Sequence, residues 1–557
     1  MSELWRLSAR ELAAGIVSGD FSSSEAVDAH IARIEAVDGD INAVVVRCYD
    51  EARAEARAAD ERRARGDALG ALHGVPVSIK ESQDVAGTPA TYGLPSRDDD
   101  VAVRDGASVA RWRDAGAIVL GKTNVPQLLI YIECDNPLYG RTNNPWDVAR
   151  TPGGSSGGEG ALIAAGGSPL GLGTDIGGSL RVPAAFCGIA SLKPTTGRLD
   201  DTSRIDAFAG MRAIVSQEGP LARTTADLAL GYRLACGDDM MGRRIAVRST
   251  DFGDAAEVSA RRVRFANDAR AFADAFDTRG DVVASLARIR GLRVGWYGSA
   301  GMLAASPALA RASREAADLL ANLGAHVVSF VPPRVEDAMA IFYGLLSADG
   351  TKRASATLGD NPRDPRVAQL FDIASKPRTQ LAAIERLLAL GGQRQIASVV
   401  RNYGFTDTHH YWRLIEAQRA YAELFERAMD TSIGGALDVI IAPPVGLPAL
   451  VHGAAADVLT AGAYAPLYNL LGYPTGTLPF TRVRANEESH RRPSRDRVER
   501  AAAKTERGSA GLPIGVQIVA RPWCEDLVLD VMAALESLVC DRDDFPTTPV
   551  NISTKLT

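Results

Sequence analysis

The sequence predicts an α/β protein: a large, twisted, mixed and mainly parallel β-sheet covered by helices on both faces. Three observations predict it. Short apolar runs bounded by glycine or proline recur along the chain, among them "GVPVSIK" (74–80), "AGAIVLGKTN" (115–124), "LRVGWYG" (292–298), "AHVVSFV" (325–331) and "DVIIAPP" (438–444). Helical patterns stand between them, at 306–323 and near 408–430. Strands alternating with helices build sheets buried on both sides. Finally, 557 residues with 46% apolar and 23% charged content are enough for so large a core.

The elements follow in order. The first 60 residues read as two helices and an exposed connection, because Ser8-x-x-Glu11 and Ser22-x-x-Glu25 both match the capping box. "GVPVSIK" reads as a buried strand ending at Lys80, and "AGAIVLGKTN" as another. "GSPLGLGTDIGG" (167–178) reads as a glycine-broken strand running into a loop, after which Ser179 opens a short helix. Residues 240–285 read as an excursion from the sheet. From 335 to 430 the pattern suggests a helical cap. Within it, Val367, Leu370, Phe371, Ile373, Leu381, Ile384, Leu387 and Leu388 form apolar stripes at helical spacing. Such stripes pack on the body or stay partly exposed to meet a membrane, a second copy or an apolar substrate. Residues 484–508, "RANEESHRRPSRDRVERAAAKTERG", are dense in charge and read as a solvated, mobile surface insertion. The strand-like "GLPIGVQIVA" (511–520) resumes afterwards, so the chain reads as one domain from 1 to 557.

Composition narrows the function. Net charge is −6, which disfavours nucleic acid as a partner. The six cysteines form no CxxC pair, so neither a zinc ribbon nor a disulfide scaffold is indicated. No run of 18 apolar residues and no secretory pattern appears, and a cytoplasmic protein is the expectation. Only seven of the 62 basic residues are lysine. A lysine retained in an arginine-rich chain points to a task that needs a group able to lose its proton.

The segment "GGSSGGEG" (153–160) carries the chemical question. A flexible linker would not continue into the apolar "ALIAAGGSPLGLGTDIGGSLRVPAAFCGI". A phosphate loop would need GK[ST] after the glycines of this segment, where none follows, or GxGxxG, whereas Gly171-x-Gly173 is followed by Gly177, one residue too many. What remains is a backbone shaped by glycine. "TDIGGS" can aim consecutive N–H groups into one concavity, as an oxyanion requires, with Ser179 beside it as nucleophile. A serine needs a base. No histidine lies in this region and no GxSxG surrounds Ser179. His73 reads as a turn or surface residue. Lys80, desolvated at a strand end, can act as a neutral amine, and Ser-Lys pairs are a variant of triad logic.

At these residues the sequence resembles the amidase signature family. The stretch from "GGSSGGEG" to "SLKPTTGR" matches its serine- and glycine-rich signature, and "GVPVSIKE", "GKTNVPQ", "NPLYGRTNNPW" and "GLPIGVQIVA" match its flanking segments. "CDNPLYGRTNNPW" and "RVPAAFCGI" lean toward the fatty acid amide hydrolase branch. The resemblance implies the amidase-signature fold and a triad of Lys80, Ser155 and Ser179. Ser179 is then the nucleophile and Ser155 the bridging residue, its peptide bond to Gly154 cis. The resemblance also implies oxyanion donors from the amides of Ile176, Gly177, Gly178 and Ser179, with Ser156 bracing the loop. Asp175 and Arg181 support that loop by pairing. Lys193 anchors a turn and Cys187 fills the core. Leu129, in the stretch Leu129-Ile130-Tyr131-Ile132, falls at a substrate-contacting position. No metal or organic cofactor is implied. The substrate would be an amide with a long apolar acyl group. A peripheral membrane contact and a homodimer are the further associations the branch suggests. Within the same chemistry, a general amidase for small or aryl amides and one component of an amidotransferase stay open; a non-catalytic binding protein on this fold is the reading from another class.

Overall fold

The structure is a computed structural model and describes residues 3–199, 208, 210–240, 282–300, 302–489 and 491–552. Thirteen strands are described: β1 (Val44–Arg47), β2 (Pro76–Lys80), β3 (Ile118–Thr123), β4 (Asp135–Asn136), β5 (Gly140–Arg141), β6 (Leu170–Asp175), β7 (Ala190–Lys193), β8 (Gln217–Ala222), β9 (Arg293–Trp296), β10 (His326–Ser329), β11 (Val439–Ala442), β12 (Thr475–Arg482) and β13 (Pro513–Ala520). Eleven of them form one mixed sheet in the order β1-β3-β2-β6-β8-β7-β12-β13-β11-β9-β10, while β4 and β5 make a separate hairpin. Helices pack on both faces, as the alternating pattern predicts. Parallel pairing is split between two flanks, β3-β2-β6 and β11-β9-β10. An antiparallel block runs between them, from β6 through β8, β7, β12 and β13 to β11.

Both expected capping boxes are present, on helices Ala9–Ser18 and Ser23–Ile41. A third helix, Tyr49–Arg65, follows edge strand β1 where only a connection was expected. Its buried stripe is merely Ala52, Ala56 and Ala59, too small a signal to stand out in so charged a segment. The excursion at 240–285 falls almost wholly outside the described residues.

The region from 335 to 430 is helical throughout, as Val335–Leu346, Lys352–Leu358, Pro365–Ala374, Arg378–Leu390, Arg394–Asn402 and Thr408–Asp430. Its apolar stripes divide between the two readings. Val367 and Phe371 pack with Leu94, Leu128, Ala354 and Leu358, whereas Leu387 stands 70% exposed. Among the described residues no helix is long and apolar enough to cross a membrane.

The charged stretch 484–508 is not a solvated loop. It contains the helix Arg497–Glu506, which buries Val498 and Ala502. Arg491 pairs with Glu499 and Glu506 at 2.9 and 3.0 Å, and Gln393 and Gln395 of the cap bond to Arg495, Arg497 and Glu499. Charges that neutralise one another in space look, along the sequence, the same as charges that face water.

Candidate active site

The site lies at the C-terminal ends of β2 and β6, where parallel strands of α/β sheets leave their loops free to bind ligands. Ser78 pairs with Gly171 and Ile79 with Leu172. That register sets Lys80, the last residue of β2, beside the end of β6. The helix Gly157–Ala164 is packed down onto these strands. Its approach explains two of the glycines: a Cβ on Gly171 would lie 2.0 Å from Glu159 Oε2, and one on Gly173 would lie 2.7 Å from Ser156 Oγ.

Lys80 is fully buried, as are Lys122 and Lys193, so three of the seven lysines sit in the interior. Lys80 Nζ is 2.7 Å from Ser155 Oγ and 2.7 Å from Thr174 Oγ1, with Thr174 O at 3.4 Å. Burial lowers its pKa from 10.5 to about 7, against the opposing pull of Asp175, Cys134, Glu159 and Glu81. At neutral pH a large share of it is therefore an uncharged amine. Such an amine has two N–H groups and one lone pair. With the Thr174 hydroxyl and carbonyl accepting both N–H groups, the lone pair is left for the Ser155 hydroxyl. Sequence reasoning missed Thr174. Its signal was present, since it is the one hydroxyl residue in the glycine-rich strand, next to the loop.

The Gly154–Ser155 peptide is cis. Ser155 and Ser156 are buried, and Ser179 is 8% exposed. Ser156 ties the two serine segments together. Its amide donates to Ser179 O at 3.1 Å, and its hydroxyl lies 3.3 Å from Thr174 O and 3.4 Å from Thr174 N.

The loop after β6 is held from behind. Asp175 accepts from the amides of Gly178 (2.7 Å) and Leu180 (3.1 Å), from Arg181 Nε and Nη2 (3.0 Å each) and from Asn469 Nδ2 (2.9 Å). Arg181 Nη1 donates onward to Ala465 O at 2.8 Å. Burial opposes ionisation of Asp175, but the Arg181 guanidinium overrides it and holds the carboxyl below the usual carboxylate range. The Gly178 amide, expected among the oxyanion donors, is thus directed at Asp175. Among the described residues, the amides of Ile176, Gly177 and Ser179 have no hydrogen-bond partner. Three closely spaced unpaired donors, at the end of a strand and beside a serine, are groups that can donate to an acceptor entering the site.

The other sequence-derived residues fall as follows. Lys193 Nζ donates to Pro194 O at 2.8 Å, and burial lowers its pKa to about 7. Cys187 is buried, its thiol 3.4 Å from Pro152 O and its pKa pushed well up by burial. His73 stands in a turn, as expected, but is buried there and not on the surface, with Nε2 3.1 Å from Ala59 O. Leu129 is half-buried against Ala90 and Tyr92. Two features went unread. Glu159 is buried, accepts from Ser78 Oγ (2.6 Å) and Thr123 Oγ1 (2.8 Å), and has its pKa raised by burial to about 7. Phe342, from the helix Val335–Leu346, reaches the loop: a Cβ on Gly177 would be 3.3 Å from its ring.

A buried lysine, two serines and a loop of unpaired amides at the C-terminal ends of β2 and β6 are the kinds of group that acyl-transfer chemistry uses. The chain belongs to the amidase signature family, with residues 25–529 matching the Amidase family, and it is an amide hydrolase of that family. It is 34% identical over 478 residues to fatty-acid amide hydrolase 1 of Sus scrofa, covering 84% of this chain and 76% of that protein. It is 32% identical over 542 residues to the A-type component of the glutamyl-tRNA(Gln) amidotransferase of Anaeromyxobacter dehalogenans (strain 2CP-C), covering 96% of each. The solved structure of a fatty acid amide hydrolase superposes with a TM-score of 0.75 over 96% of this chain and 85% of that one; at 23% identity this likeness speaks to the fold alone.

Proposed function

We propose that the protein hydrolyses the C–N bond of fatty acid amides through a Ser179 acyl-enzyme. The observation that carries the chemistry is the fully buried Lys80 amine 2.7 Å from Ser155 Oγ, beside the unpaired amides that flank Ser179. Neutral Lys80 takes the Ser155 proton while Ser155 takes that of Ser179. Ser179 Oγ attacks the carbonyl carbon, and the oxyanion is received by the amides of Ile176, Gly177 and Ser179. Gly178 instead keeps the loop in shape through Asp175. Ser155 then delivers a proton to the departing nitrogen and recovers one from Lys80, so the amine leaves neutral. Water repeats the sequence in reverse, releasing the carboxylic acid.

A long acyl group is supported by the likeness to the Sus scrofa enzyme and by the apolar side chains at the loop, Phe342 and Ile176. A panel of primary amides from acetyl to oleoyl tests it. The expected result is kcat/KM rising with chain length; equal values for acetamide and oleamide would remove the fatty acyl claim. A second reading, amide-nitrogen transfer within a larger complex, is favoured by the 96% mutual coverage with the amidotransferase component. Turnover by the isolated chain, with no partner added, counts against it. Labelling by a fluorophosphonate that disappears in Ser179→Ala identifies the nucleophile.

A further inference from the structure

The segment 127–135 runs between the helical cap and the catalytic loop and touches both. On the body side its backbone lies against the residue before Ser155: a Cβ on Gly154 would be 2.7 Å from Tyr131 O and 3.0 Å from Glu133 N. Two residues beyond Ser155, a Cβ on Gly157 would be 2.5 Å from Cys134 Cβ. On the other side the segment is bonded to the start of the cap helix Pro365–Ala374. Gln127 Nε2 donates to Pro362 O (2.8 Å), Gln127 Oε1 accepts from the Asp364 amide (2.9 Å), and the Tyr131 hydroxyl donates to Arg366 O (2.9 Å).

Arg366 closes this junction. Its Nη1 donates to Glu133 Oε2 at 2.7 Å, its Nη2 lies 3.4 Å from Asp135, and Asp364 fixes its Nε at 2.9 Å. Glu133 is buried and also accepts the amides of Gly453 (2.9 Å) and Ala455 (2.6 Å) from the body. One guanidinium thus joins cap, segment and body. Between these anchors the backbone adopts conformations that non-glycine residues avoid, with φ of 55° at Leu128, 59° at Leu129 and 93° at Tyr131. Such conformations persist only where the surroundings over-determine them.

We propose that Arg366 is a positioning residue for the catalytic loop: by clamping Glu133 and Asp135 it holds the 127–135 segment against Gly154 and so couples the seating of the cap to the placement of Ser155. This rests on the reading that Ser155 and Ser179 carry the reaction. It does not rest on the length of the acyl group.

The test uses the full chain and two variants. Arg366→Lys keeps the charge but loses the planar fork. Arg366→Met combined with Glu133→Gln removes both charges, so that no buried carboxylate is left unpaired at Glu133. Hydrolysis kinetics, thermal melting and hydrogen–deuterium exchange are read together, with propionamide and oleamide as substrates. The expected result is a kcat at least ten-fold below the parent on whichever amide is turned over, KM within three-fold, and deuterium uptake rising together in peptides covering 127–135 and 152–158. Increased uptake confined to 127–135, with kcat unchanged, would show that the junction only braces the cap and overturns the proposal. A fall in kcat accompanied by uptake rising evenly over the whole chain overturns it as well. If Ser179→Ala hydrolyses as the parent does, the nucleophile assignment fails separately, and the paired uptake still reports the coupling.

Discussion

The lysine reading makes a quantitative demand on pH dependence. With its pKa lowered by burial to about 7, Lys80 is about half neutral at pH 7. An ordinary lysine near 10.4 would be neutral to only about 0.04%, so burial raises the reactive fraction roughly a thousand-fold. The sign follows directly. The neutral amine is the active form, so kcat/KM rises with pH through about 7 and levels off above it, and at pH 5 it lies roughly a hundred-fold below the plateau. Measurements from pH 5 to 9, with the fold checked by circular dichroism at each end, test this. Glu159 complicates the limb, because burial raises its pKa to about 7 as well. Glu159→Gln separates the two. The limb persists in that variant if Lys80 is its source, displaced to lower pH because a nearby negative charge has gone. Lys80→Met removes the limb and lowers the plateau by about 10²–10⁴, the usual worth of a general base. A parent profile flat from pH 5 to 9, or a limb unchanged in Lys80→Met, would refute the argument.

Three further outcomes are expected. Thr174→Val removes a hydroxyl that orients the amine, at a cost of about 1 kcal/mol, and kcat should fall roughly five-fold with KM little changed in steady-state assays. Arg181→Met leaves Asp175 buried and unpaired; chemical denaturation should show a loss of about 3–5 kcal/mol, and activity should fall with it. Gly171→Ala drives a methyl group into Glu159, which cannot retreat without breaking its bonds to Ser78 and Thr123. The melting temperature should drop by an amount corresponding to about 1–3 kcal/mol.

Much of the architecture was legible because strands and helices announce themselves locally. The capping boxes at Ser8 and Ser22, the strand ending at Lys80 and the glycine-broken strand before Ser179 each depend on a few adjacent residues. What stayed hidden depends on encounters across the chain. Phe342 is remote in sequence from the loop it covers, and Arg366 stands 233 residues from Glu133; neither carries a local pattern, because a side chain's partner across the fold leaves no periodicity. The charged stretch 484–508 fails for the same reason, since only space reveals that Arg491 meets Glu499 and Glu506. The missed Glu159 differs. A lone acid inside "GGEGALIAAGG" is a local anomaly, and an ionisable group in an apolar run has to find hydroxyl or charged partners when it is buried.

The distribution of charge around Lys80 suits the proposed role of base. A buried amine would normally be kept protonated by the nearest carboxylate. Among the carboxylates around Lys80, the charge of Asp175 is the strongest influence opposing the effect of burial. Yet Asp175 is turned toward Arg181, two backbone amides and Asn469, and the lysine makes no salt bridge to it. The negative charge is thereby directed into shaping the loop, and Lys80 is left facing hydroxyls, which share a proton without fixing it. Arginine in place of Lys80 would remain charged in the same surroundings. One buried ion pair therefore serves two ends: it sets the direction of the free amides, and it leaves desolvation to lower the proton affinity of the amine.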